Sequence, residues 1–72
     1  MNDYKERIKF LENIVNERKR ELRRIKTTIN KVEKLGLIPP TELLIKKENI
    51  EVKLKESREE LKLYKKIDEI IK

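Results

Sequence analysis

The stretch Lys34-Leu35-Gly36-Leu37-Ile38-Pro39-Pro40-Thr41-Glu42 decides the fold. Gly36 is the only glycine of the 72-residue chain, and Pro39 and Pro40 are its only prolines, so the one sharp break falls near the middle. A helix arriving from the N-terminal side can end here. Lys34 complements the negative helix end, Gly36 can take the left-handed C′ position, and Leu37 can fold back on Val32. Pro39 and Pro40 forbid continuation, because neither offers the backbone N–H that a helix needs. A second helix can open at Pro40 or Thr41, with Glu42 near its positive end. A connection of about five residues favours antiparallel neighbours.

Outward from the break, apolar residues recur by fours and threes. Upstream the positions are Tyr4, Ile8, Leu11, Val15, Arg18, Leu22, Ile25, Ile29 and Val32, an unbroken heptad register with one polar member, Arg18. Asp3 is placed to cap this helix, with Glu6 as the other half of a capping box. Downstream the register runs through Leu43, Lys47, Ile50, Leu54, Ser57, Leu61, Tyr64, Asp68 and Ile71. Lys47, Ser57 and Asp68 make this seam weaker. Asp3–Arg7, Glu42–Lys46 and Glu51–Lys55 are spaced as helix-supporting ion pairs. The expected architecture is all-α: one antiparallel, coiled-coil-like hairpin over residues 1–72. Helix one covers about 3–35, the turn 36–40 and helix two about 41–71.

Folding the chain about Ile38 places Arg18 level with Ser57, so both seams turn polar at one height and form a polar core layer. The same alignment sets the acids Glu56, Glu59 and Glu60 beside the bases Arg18, Lys19 and Arg20. Arg18 is then expected to fix register by pairing with Glu56 or Glu60. Phe10, Ile14, Leu63, Ile67 and Ile70 fit neither seam and gather at the open end, where the termini lie. Ile45 and Val52 form a smaller stripe near the turn. A chain this short buries little core alone. The open-end group is therefore expected to be an interface through which hairpins pair as a homodimer into a four-helix bundle, or through which another protein docks.

Composition limits the function. Charged residues make up 47% of the chain and apolar ones 36%, the balance of long helices with a narrow seam. Regular spacing of Ile, Leu and Val argues against disorder. With no Cys or His there are no disulfides, no usual zinc ligands and no cheap group titrating near neutrality. Carboxylates on exposed faces beside Lys and Arg stay ionised. No Gly-rich phosphate loop exists. An enzyme is not expected, nor is a cofactor or a metal. Glu56, Glu59 and Glu60 could hold a divalent ion across a dimer axis, but they lack the Glu-x-x-His pattern of bundle metal sites. No uncharged apolar run approaches the ~18 residues of a membrane span, and basic and apolar residues are not segregated as on a membrane-surface helix. A cytoplasmic setting is the default. Abundant Lys, Glu and Ile, with no Gln, give a thermophile-like composition.

What remains is positive charge. Residues 18–26 read Arg-Lys-Arg-Glu-Leu-Arg-Arg-Ile-Lys, within a chain of net charge +6. On a helix, Asn13, Arg20, Arg24 and Lys31 fall along one acid-free outward line, flanked by Asn16, Arg23 and Thr27, with Lys26 close by. Guanidinium forks, amides and hydroxyls at helical spacing suit a phosphate backbone. Glu56, Glu59 and Glu60 would neutralise the start of the run. The few aromatics lie near the open end, which argues against base stacking. The expected function is a small accessory or regulatory protein that binds duplex DNA or structured RNA through its backbone. The alternative is a protein–protein adaptor acting through the open-end apolar residues.

Overall fold

The computed structural model describes residues 3–71, with side chains from Tyr4 onward. Two helices, α1 (Asp3–Lys34) and α2 (Thr41–Ile71), pack on each other as a hairpin. The rod is 55 Å long and 14 Å across at the Cα atoms, so no third layer covers it. Among the described residues, every side chain off the single seam is exposed or half-buried.

The break forms through backbone chemistry. Gly36 sits at φ 77°, in the left-handed region. Its N–H donates to the Glu33 carbonyl (2.9 Å), while the Leu37 N–H donates to the Val32 carbonyl (3.2 Å). These two bonds make a Schellman C-cap, which satisfies carbonyls that the helix end would leave bare. Leu37 thus folds back through its backbone alone, and its side chain stays 60% exposed. The Pro40 carbonyl accepts from the N–H groups of Leu43 (3.0 Å) and Leu44 (3.3 Å), which starts α2 at Thr41.

The seam follows the heptad register. Leu11, Val15, Ile25 and Ile29 of α1 and Ile50, Leu54, Ser57 and Asp68 of α2 are buried. Ile8, Leu22, Val32, Leu43, Lys47, Leu61 and Tyr64 are half-buried. Ile25, Ile29 and Ile50 form a core cluster in the half of the seam nearer the turn, with Leu22 and Leu43 packed against it. The register loosens only at the open end, where Tyr4 and Ile71 are exposed. The Tyr4 and Tyr64 rings meet there at 5.9 Å between centroids.

Two ion pairs identify the flanks of the seam. Arg7 bonds Glu60 (2.9 Å), and Lys65 lies 3.7 Å from Glu12. Side chains seven residues apart share a flank. The first flank therefore carries Arg7, Ile14 and Glu21 of α1 with Lys46, Lys53, Glu60 and Ile67 of α2. The second carries Glu12, Lys19 and Lys26 with Glu51, Arg58 and Lys65.

Several polar expectations change. Arg18 does not pair with Glu56 or Glu60. Its guanidinium donates to the Ser57 hydroxyl and to the Lys53 carbonyl (2.9 Å). The Ser57 hydroxyl donates to that same carbonyl (2.8 Å). The reason is position: Arg18 lies on the seam and faces the backbone of α2, whereas Glu60 lies on a flank and is taken by Arg7. Arg7 accordingly pairs across the hairpin, while the expected Asp3 cap and the Asp3–Arg7 pair fall on a side chain outside those described. Glu42–Lys46 and Glu51–Lys55 form no ion pair among the described residues. Exposed long side chains gain too little from such contacts to surrender their rotamer freedom.

Candidate nucleic-acid interface

The Schellman turn and the seam together determine which α1 residues face outward. Asn13, Arg20, Arg23, Arg24, Lys26, Thr27 and Lys31 are all exposed. The side chains of Arg20, Arg23, Arg24, Lys26 and Lys31 make no hydrogen bond or ion pair among the described residues. Glu56, Glu59 and Glu60 form no ion pair with the run among the described residues, and Glu60 bonds Arg7 instead. The Thr27 hydroxyl donates to the Arg23 carbonyl (2.9 Å), and Thr28 does the same to Arg24 (3.0 Å). Thr27 thus offers a ligand only acceptor lone pairs, a poorer phosphate contact than its position suggested.

The stripe is not one surface. Arg23 and Lys26 line a shallow groove between the helices together with Lys19, Asn30 and, from α2, Arg58, over a floor of Leu22 and Leu54. Arg24 lines a different groove, with Glu21, Ile25 and Lys46, on the first flank. Neighbours in sequence stand about 100° apart around a helix, so Arg23 and Arg24 reach opposite sides of the seam. Arg58 lies far from the basic run of residues 18–26 in sequence, and pattern alone assigned it no role. Its seven-residue spacing from Glu51 and Lys65 was the signal that could have placed it, once the hairpin alignment was known.

The open-end residues divide as well. Phe10 (53%), Leu63 (57%) and Ile70 (78%) are exposed. Ile14 and Ile67 are half-buried, because both lie on the first flank where the two helices partly cover them. Arg7 sits among them. Its guanidinium carbon lies 5.5 Å from the Phe10 ring centroid and 5.8 Å from that of Tyr64, within cation–π range. Its bond to Glu60 is the main cause holding the guanidinium above its ordinary pKa. A second apolar group, missed in the sequence, stands at the closed end: Leu35, Leu37 and Ile38 are all exposed because the tight backbone cap leaves their side chains nowhere to fold. Ile45 and Val52 are exposed on the outer face of α2.

Arg18 and Ser57 form one hydrogen-bonded layer, with Ser57 buried and Arg18 half-buried. Among the described residues no group of three or more His, Cys, Asp or Glu is placed to hold a metal ion, and no helix is long and apolar enough to cross a membrane. The chain matches no family model, and no curated protein or solved structure matches it.

Proposed function

We propose that this hairpin is a small non-enzymatic accessory or regulatory protein that binds nucleic-acid backbone, on duplex DNA or structured RNA, through the basic side chains of α1. The observation that carries this reading is the state of those cations. Arg20, Arg23, Arg24, Lys26 and Lys31 are exposed and engage no carboxylate among the described residues, although the chain has 14 acids to offer. A rigid helix presents them without further ordering, so binding need not be offset by folding. With no exposed aromatic platform along the run, the contacts are to phosphates, and affinity depends steeply on salt while discriminating weakly between sequences.

Phe10, Leu63 and Ile70 support a second feature, self-association of hairpins into a four-helix bundle through the open end. The same exposure favours the second functional reading, an adaptor that docks another protein there.

The test is binding of labelled duplex DNA, duplex RNA and single strands, titrated across salt. The expected result is binding that weakens steeply with salt and is lost when Arg23→Glu and Arg24→Glu are combined. Absence of binding at low salt ends the nucleic-acid reading and leaves the open-end adaptor.

A further inference from the structure

Along the second flank the charges are complementary at both ends, Glu12 level with Lys65 and Lys26 level with Glu51, and clash only between them. Lys65 of α2 lies 3.7 Å from Glu12 of α1. One heptad nearer the turn, the equivalent positions are Lys19 on α1 and Arg58 on α2, two cations. Both line the shallow groove over Leu22 and Leu54, and Arg23 and Lys26 stand on the same α1 wall. No carboxylate lines that groove. Glu51 and Glu59 lie on the α2 side, where with Lys55 they line an adjoining hollow that shares Leu22, Leu54 and Arg58. None of the four groove cations makes an ion pair among the described residues.

Like charges facing each other across a helix pair cost stability, and flanking positions of coiled coils usually carry opposite ones. A hairpin that places Glu12 opposite Lys65 could have met Lys19 in the same way with an acid at position 58. It has Arg58 instead. An anion seated between the two walls would relieve this repulsion, and the flat guanidinium forks of Arg23 and Arg58 suit phosphate oxygens.

We infer that the groove bounded by Lys19, Arg23 and Lys26 of α1 and Arg58 of α2 is a phosphodiester-binding site, which makes Arg58 a nucleic-acid contact supplied by the second helix. This rests on the nucleic-acid reading above and narrows it: the site belongs to the folded hairpin, and the flank carrying Lys19 and Lys26 holds the backbone in place of the whole α1 stripe. Glu51 and Glu59 repel phosphate from the outer edge of α2, so the strand runs along the α1 wall. Arg24, in the groove with Glu21 and Lys46, lies outside the site. Lys19 and Lys26, seven residues apart, are separated by about 10 Å along the helix axis.

The experiment measures affinity for a labelled DNA duplex and for an RNA duplex between 50 and 200 mM salt, using the full chain, with thermal unfolding run in parallel. Four phosphate contacts give B-DNA a log–log salt slope of about −3.6, which is a loss of roughly 150-fold over that range. Arg58→Ala is expected to bring the slope to about −2.7, a loss of roughly 40-fold, whereas Lys46→Ala on the other flank leaves it unchanged. Arg58→Glu is expected to abolish binding to both duplexes while the hairpin melts no lower than wild type, because the new carboxylate pairs with Lys19. That combination separates loss of a ligand contact from loss of the fold. Wild-type binding by the Arg58 variants, with loss on Lys46→Ala, overturns the groove and leaves the nucleic-acid reading standing on the other flank. Failure of the wild-type chain to bind either duplex at 50 mM overturns both.

Discussion

Gly36 offers a test in which structure dictates opposite signs for two mirror-image substitutions. Its φ of 77° lies where an L-residue is strained, and a Cβ built there meets no heavy atom within 4 Å. The cost of Gly36→Ala is therefore conformational, with no contribution from a clash. An L-residue in the left-handed region costs about 1–2 kcal/mol. Restricting the unfolded chain returns about 0.4–1 kcal/mol of that. The net loss is about 1 kcal/mol, worth ~4–8 °C in melting temperature for a chain of this size. D-alanine at the same position, introduced by chemical synthesis, takes a positive φ without strain and keeps the unfolded-state gain, so it is expected to stabilise by ~0.4–1 kcal/mol. Thermal and urea unfolding followed by circular dichroism at one fixed protein concentration measures both, since association would otherwise move the midpoint. Equal destabilisation by the two enantiomers would refute the reasoning, because it would mean that the space beside Gly36 is occupied. The outcome bears on function too. The Schellman bonds of Gly36 and Leu37 set the alignment that brings Arg58 beside Lys19 and Arg23.

Two further outcomes are expected. Replacing Arg18 with Leu orphans no buried donor, because the Ser57 hydroxyl keeps its bond to the Lys53 carbonyl; urea unfolding should find the hairpin between unchanged and ~2 kcal/mol more stable, and destabilisation beyond about 1 kcal/mol would mean that the polar layer holds the helices together as well as in register. Phe10→Glu combined with Leu63→Glu charges the exposed open end and leaves the seam intact, so sedimentation equilibrium should return a monomer of undiminished helicity; a wild-type association state in this variant removes the open end as the interface.

The seam was legible because it is local. Leu11, Val15, Ile25 and Ile29 in one helix and Ile50, Leu54 and Ser57 in the other repeat at the helical period, and a chain with one glycine and two adjacent prolines has one place to fold back. The height at which Arg18 meets Ser57 followed from counting outward from the turn. What Arg18 bonds to did not follow. Two carboxylates and a seryl hydroxyl lay within counting distance, and only the direction of the side chain across the seam separates them. Phe10 and Leu63 were identified as off-seam residues, but the partial cover over Ile14 and Ile67 depends on the flank each occupies.

Sequence alone therefore determined the two helices, their break at Gly36–Pro40, their antiparallel return and the identity of the buried stripe. All of these follow from backbone propensity and a period of 3.5–3.6 residues, which act within one or two turns of chain. Only the tertiary structure decided that Arg23 and Arg24 part to opposite grooves and that Glu60 serves Arg7 rather than the basic run. It also decided that Arg58, 35 positions beyond Arg23, completes a cationic groove with it. Those are relations between side chains on different helices, set by the rotation of each helix about its own axis, and a single substitution can change such a relation while leaving the hydrophobic pattern intact.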